Sequence, residues 1–461
     1  MGNREEEHSR RSARAVRGGR FTRSARPAKL AARAAARWGR TYLSFGEARK
    51  RKREQFVMRT SEDVTRTLGD MKGAAMKVGQ VMSLMTGLVP DEMAMQLATL
   101  QSNAPPMAPN LVDDVFLRDY GLTPQKLFRK FERKPFAAAS IGQVHRATLD
   151  DGTRVAVKVQ YPGVREAIEH DLANVGFILG MAGVFSKGLD AGALTKDLAE
   201  GIRAELDYLH EAANQQRFFD AYEGHALVRV PRVFHELTTP HVIVQEYIAG
   251  KPFSTATDLP QSERDRIGEI IYRFSFGNIY RHRLFNGDPH PGNYILADDG
   301  RVAFVDYGCV AEFSRETVDG FCSILDGLIR GDREAWRAAC EEIGILKRGA
   351  PWSTAELYEH MHWFWAPVLE PELTFTRDLA AEMVRRNMMT TGEGGRINRW
   401  LNIPEGMVFL TRINFGLAGL LASIDAHGPW RGIIREYVYD EPPCTELGRL
   451  SAATTRVGEP V

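Results

Sequence analysis

Two stretches of this chain read as β-hairpins, and the polar residues at their open ends constrain everything else. Residues 143–149 and 153–160 flank Asp150-Asp151-Gly152, and residues 294–297 and 301–305 flank Asp298-Asp299-Gly300. Apolar, β-branched residues around an Asp-Gly turn are a strong short-range hairpin signal. Closing the second hairpin on its loop puts Asn293 nearly opposite Val305, at the end from which Asp306 emerges. Asp288 is one short loop away. Two carboxylates and an amide at one strand end suit Mg²⁺, a hard ion that takes a few oxygen ligands and leaves the rest to water and phosphate. Closing the first hairpin sets Lys158 across from Val144, where the chain enters it.

These pieces follow protein-kinase order. A catalytic-loop Asp, an Asn five residues later and the Asp of D-F-G correspond to Asp288, Asn293 and Asp306, the last within D-Y-G. Val155-Ala156-Val157-Lys158 copies the strand whose Lys reaches the nucleotide phosphates. Ahead of it, Ala137-Ala138-Ala139-Ser140-Ile141-Gly142-Gln143-Val144 overlays the glycine-rich phosphate loop. It keeps the third Gly and the Val, but has Ala137 and Ala139 where two glycines would stand. A Cβ at those positions stiffens the loop. A Lys near phosphate needs a carboxylate partner, and Glu205–Asn214 supplies candidates on an expected helix. There Glu205, Leu209 and Ala212 share one face and Asp207 and Glu211 another. Glu246, in the strand pair ending at 242–247, is included among the nucleotide contacts.

The surrounding pattern is mixed strands first and helices later, an α+β two-lobed arrangement. We read a basic arm over 1–55, a helical extension over 56–132, a first lobe with inserted helices over 133–248, a mainly helical second lobe over 249–440 and a polar tail over 441–461. Within the extension, 111–131 is expected to be helical. The net charge of +1 hides an asymmetry. Residues 1–60 hold 18 Lys and Arg against 5 Asp and Glu, and the remainder hold 42 against 54. A basic arm on an acidic body suits an anionic membrane surface or nucleic acid; a solvated tail is the bland alternative. The arm lacks interleaved aromatics, which argues against nucleic acid.

Four dispersed cysteines with no C-x-x-C pair argue against a zinc site or disulfide framework and fit a reducing compartment. No secretory leader is visible after the Arg-rich start. The apolar stretch at 175–185 is too short to span a bilayer, and that at 406–424 carries Arg412 and Asn414, so both are expected to be core helices. The expected location is cytoplasmic, peripheral at the inner membrane face.

The combination resembles the aarF/UbiB-like atypical kinases, the relatives of proteins that support ubiquinone biosynthesis. The likeness rests on Lys77-Val78-Gly79-Gln80 (K-x-G-Q), the Ala-rich segment 135–145, V-A-V-K-V-Q-Y-P-G-V at 155–164, Glu205–Asn214, Asp288-Pro289-His290-Pro291-Gly292-Asn293 and Asp306-Tyr307-Gly308. It covers roughly residues 60–430. It implies a kinase-like fold with a helical extension over the nucleotide site, binding ATP or ADP with Mg²⁺. Lys158 would pair with Glu211 and the phosphates, Asn293 and Asp306 would hold the metal, and Asp288 would stand in the catalytic-base position. The extension's Lys77 would meet Glu205 and Asp207, with Gln80 in the same regulatory motif; read by themselves, Lys77 and Gln80 are a polar helix face.

Departures from the pattern narrow the function. Asn286-Gly287 precede Asp288 where many relatives have His-Ala, and no A-P-E peptide-docking segment follows Gly308. Ordinary protein phosphorylation is therefore disfavoured. What remains is an ATPase or a small-molecule or lipid kinase, acting with lipid-biosynthesis proteins in isoprenoid-quinone or other lipid metabolism. The alternative is a nucleotide-binding, pseudokinase-like regulator or chaperone of such a complex.

Overall fold

The computed structural model describes residues 107–139, 141–166, 168–169, 203, 206–387, 392–402 and 413–454. The basic arm, most of the extension, the stretch at 175–185, and Lys77, Gln80, Ser140 and Glu205 lie outside them. The described chain divides into two compact units, one of residues up to Asp207 with Thr239–Val244, the other of Tyr208–Thr238 with Gln245 onward. In chain order the strands begin with β1 (Lys130–Phe131), β2 (Ala137–Ala139), β3 (Gly142–Thr148) and β4 (Arg154–Gln160). They continue with β5 (Val228–Arg229), β6 (Val242–Glu246), β7 (Gly250–Pro252), β8 (Leu284–Asn286), β9 (Tyr294–Ala297), β10 (Val302–Phe304) and β11 (Val310–Glu312).

The first unit is built on a sheet ordered β1-β3-β4-β6, with β2 also on β3. Side chains alternate across a strand. Val155, Val157 and Val159 are fully buried on one face of β4, while Ala156, Lys158 and Gln160 take the other. Helix α1 (Pro109–Tyr120) buries Val112, Val115 and Phe116. The continuous helix expected over 111–131 does not form. Gly121 ends α1 in the left-handed region at φ 69°, Pro124 opens a separate short helix, α2 (Pro124–Leu127), and β1 follows. A glycine with positive φ just past a helix is a stop signal, and Pro at a first position restarts one.

The second unit packs helices on a small sheet ordered β5-β10-β9-β7. Its first helix, α3 (Tyr208–Tyr222), buries Tyr208, Glu211, Ala212, Gln215, Phe218 and Tyr222, a helical stripe. Helix α4 (Gln261–Gly277) stacks Phe274 on Phe304 of β10 and sets Tyr272 at a tilt against Trp430. After Ser314, whose hydroxyl accepts the Thr317 N–H, α5 (Arg315–Arg330) and α6 (Arg333–Glu342) cross closely. A Cβ at Gly327 would lie 2.6 Å from the Trp336 backbone nitrogen, so only glycine allows the approach.

The end of the chain, read as a polar tail, carries a helix at Glu446–Thr454. The reason is a buried ionic anchor that composition does not reveal. Arg273 of α4 donates to Glu269 at 2.7 Å and to Glu436 at 2.7 and 3.0 Å, and also to Thr445 at 2.9 Å. The Glu436 carboxylate in turn accepts the Cys444 N–H at 2.9 Å. A buried charge must be matched by partners, so this cluster fixes where the last helix starts. Among the described residues no helix is long and apolar enough to cross a membrane.

Candidate functional site

In the first unit the D-D-G hairpin forms as read, with Gly152 at φ 90°. Its register pairs Val144 with Lys158 and Gly142 with Gln160. The Ala-rich segment is not an open loop. Ala137–Ala139 form a strand that pairs Ala137 with Val144, Ala138 with Gln143 and Ala139 with Gly142. The alanine methyls disfavour the positive-φ turns that glycines would allow, which leaves the segment extended against β3. Ala137, Val144 and Lys158 thus make one cross-strand row, beside Ala139, Gly142 and Gln160. Ala138 falls on the opposite face, apart from the other residues assigned to phosphate contact. Lys158 is only 6% exposed, so its ammonium demands an anionic partner.

The rest of the Ala-rich motif is structural. Gln143 Oε1 accepts the Met107 N–H at 2.7 Å, which turns its amide nitrogen to His145 Nε2 at 2.8 Å. His145 Nε2 is therefore an acceptor, and Nδ1–H donates to the Glu132 carbonyl at 2.8 Å. Burial holds the His145 pKa below its ordinary value, in keeping with a neutral ring. Gln160 Nε2 donates to the Leu206 carbonyl at 3.1 Å, tying down the segment that leads to Asp207.

In the second unit Asp288, Asn293 and Asp306 sit on two loops that run side by side. Strands β8 and β11 are antiparallel, with Asn286 opposite Val310. Strands β9 and β10 are antiparallel, with Tyr294 opposite Phe304. The loops 287–293 and 305–309 bridge these two ladders and are pinched at both ends. Gly287 N–H donates to the Cys309 carbonyl at 2.7 Å, and Val305 N–H to the Asn293 carbonyl at 3.1 Å. Between the pinches, Asn293 Nδ2 donates to the Asp288 carbonyl at 3.1 Å. Its Oδ1 is then the atom an ion would meet. Asp306 Oδ1 accepts the Gly308 N–H at 3.1 Å. Two carboxylates and an amide oxygen on hydrogen-bonded loops fit an oxygen-seeking divalent cation that keeps water or phosphate in its shell. Among the described residues no three His, Cys, Asp or Glu side chains converge as a metal cage.

Residues between Asp288 and Asn293 brace the turn. The His290 Nδ1 accepts the Gly292 N–H at 3.1 Å and caps the turn Pro291–Asn293. Pro289 packs on Gly416, where a Cβ would come within 2.3 Å of its ring. Tyr307 is fully buried, its ring 4.9 Å from Phe218 and its hydroxyl donating to the Phe304 carbonyl at 3.1 Å.

The assigned acidic residues take distinct settings. The helix carrying Glu211 begins only at Tyr208, so the exposed Asp207 precedes it and does not share a helix face with Glu211. Glu211 is buried on α3. The Glu246 carboxylate is committed to Arg229 at 2.5 Å and to the Arg232 N–H at 3.4 Å, a support for the second D-D-G turn, whose Asp299 also meets Arg229 at 2.6 Å. Sequence reading gave no role to Asn214 or Asn286, whose amides contact the D-Y-G backbone; the signals were Asn214 closing the segment 205–214 and an asparagine at 286 where relatives carry His.

The ABC1 atypical kinase-like domain matches residues 99–339. The chain belongs to this family. Among its ABC1/aarF relatives, the mitochondrial atypical kinase coq-8 of Caenorhabditis elegans is 32% identical over 62% of this chain and 39% of the worm protein. The rat mitochondrial atypical kinase COQ8B is 31% identical over 62% of this chain and 54% of its own length. An uncharacterized Synechocystis protein, slr0889, is 32% identical over 61% of this chain and 72% of its own. The match therefore spans well under two thirds of the worm and rat proteins. Among solved structures, the complex of Rv3197 with erythromycin from Mycobacterium tuberculosis superposes with TM-score 0.62 at 30% identity, covering 85% of this chain and all of that one. The ABC1 fold here is α+β and kinase-like.

Proposed function

We propose that this chain binds ATP with Mg²⁺ and acts as an atypical kinase or ATPase on a small molecule or lipid. The observation that carries the reading is the pinched pair of loops holding Asp288, Asn293 and Asp306 in kinase order. Asp306 and Asn293 would hold the metal, which neutralises phosphate charge when bound. Lys158 would contact the phosphates from its row with Val144 and Ala137. Asp288 would take the proton of a substrate hydroxyl. The missing A-P-E segment disfavours a peptide substrate, and the resemblance to quinone-pathway proteins favours a phenolic or lipid one. The basic arm would bring the protein to an anionic membrane face, among lipid-biosynthesis proteins, in the cytoplasm.

A second reading, a nucleotide-binding regulator or chaperone, is favoured by the Ala-rich segment, which is a strand where kinases have a pliant glycine loop. The deciding experiment is Mg²⁺-dependent phosphate release, with and without anionic liposomes and quinone-precursor-like phenols, for the wild type and Asp288→Asn. Turnover lost in the variant supports the enzyme. Tight MgATP binding without turnover in either protein supports the regulator.

A further inference from the structure

The D-Y-G backbone is gripped by two side-chain amides that the motif pattern does not assign. Asn286, the last residue of β8, donates Nδ2 to the Asp306 carbonyl at 2.7 Å. Oδ1 of the same amide accepts the Asp288 N–H at 3.4 Å. One side chain thus bridges the two loops that carry the acidic residues. Asn214, buried on α3, donates Nδ2 to the next carbonyl, that of Tyr307, at 3.3 Å. These consecutive carbonyls lie between β10 and β11, outside any sheet ladder, and backbone acceptors there need other partners. The Tyr307 ring is anchored in the core and the Asp306 carboxylate is turned by the Gly308 N–H. The peptide units on either side of Tyr307 are therefore fixed from two different elements.

We propose that Asn286 and Asn214 are positioning residues that hold Asp306 in its metal-binding orientation, with Asn286 also tying that orientation to the Asp288 loop. The inference rests on the nucleotide and Mg²⁺ reading above. An amide suits the Asn286 position because it donates and accepts at once. Aspartate has the same shape without the donor, while histidine restores an N–H.

The test is the Mg²⁺ concentration giving half of the ATP-dependent rise in melting temperature, which needs no turnover. Asn286→Ala should raise that concentration about tenfold, equivalent to about 1.4 kcal/mol, the scale of one net hydrogen bond. Its melting temperature without ligand should stay near wild type. Asn286→Asp should behave like the alanine variant, and Asn286→His should recover most of the metal response. Asn214→Ala should act in the same direction; if it fails to fold, the Asn286 series decides. An Asn286→Ala response within about twofold of wild type, with Asp306→Asn abolishing the response, would overturn the positioning role and leave the nucleotide reading standing. If Asp306→Asn also responds like wild type, the nucleotide reading itself falls.

Discussion

Acidification should destabilise the second unit through His225, and the size of the effect can be worked out from its surroundings. The ring is buried just before β5, which pairs in parallel with β10, the strand that leads to Asp306. Its Nδ1 accepts the backbone N–H groups of Leu227 at 3.1 Å and Val228 at 3.0 Å. Nε2–H must then donate to Ser451 Oγ at 3.1 Å. Burial, reinforced by the charges of Arg281 and Arg301, pushes the pKa from 6.5 down to about 4. Between those values the unfolded chain takes up a proton that the folded protein refuses. The stability linked to His225 is thus whole above about pH 6.5 and falls with pH, by about 1.4 kcal/mol per unit, to a total of about 3 kcal/mol near pH 4. Urea unfolding of wild type and His225→Gln from pH 7 to 4 isolates it, because other groups titrate in both. The stability gap should narrow by about 3 kcal/mol on acidification. Parallel profiles, or an NMR titration of the ring with a midpoint near 6.5, would show that burial does not hold His225 neutral.

Lys158→Ala should abolish turnover and Glu211→Gln should be milder, read as phosphate release; a Glu205→Gln variant that reproduced the Lys158 loss would show that another carboxylate serves it. Deleting residues 1–55 should remove salt-sensitive binding to anionic vesicles while basal turnover survives, checked by vesicle sedimentation. Each Lys or Arg near a charged surface contributes about 1 kcal/mol, so a third of the arm's charges suffices for attachment. Salt-insensitive binding by the deleted form would point to an apolar surface instead.

Much of the site was legible because hairpins are local. The D-D-G turns fixed which residues stand opposite, and Val144 with Lys158 and Asn293 with Val305 follow from counting back from them. What counting could not reach were contacts between distant segments. The last helix depends on Arg273 meeting Glu436 and Thr445, far apart in sequence. Asn214 reaches Tyr307, 93 positions further on, and the sequence around it does not name that partner. The stiffening effect of Ala137 and Ala139 was legible, but their pairing with Val144 and Gly142 appears only in the register of the strands. The Glu246 carboxylate answers Arg229, a partner with no motif of its own.

In the proposed function Asp306 holds a metal for nucleotide. Differential scanning fluorimetry of wild type and Asp306→Asn with ATP, each with Mg²⁺ or with EDTA, reads that role. At a hundredfold excess of ligand over Kd, binding should stabilise the wild type by about 2.7 kcal/mol, and only when Mg²⁺ is present. Asp306→Asn should melt like the wild type without ligand and gain nothing from MgATP. Equal stabilisation of both proteins by MgATP would contradict a metal role for Asp306.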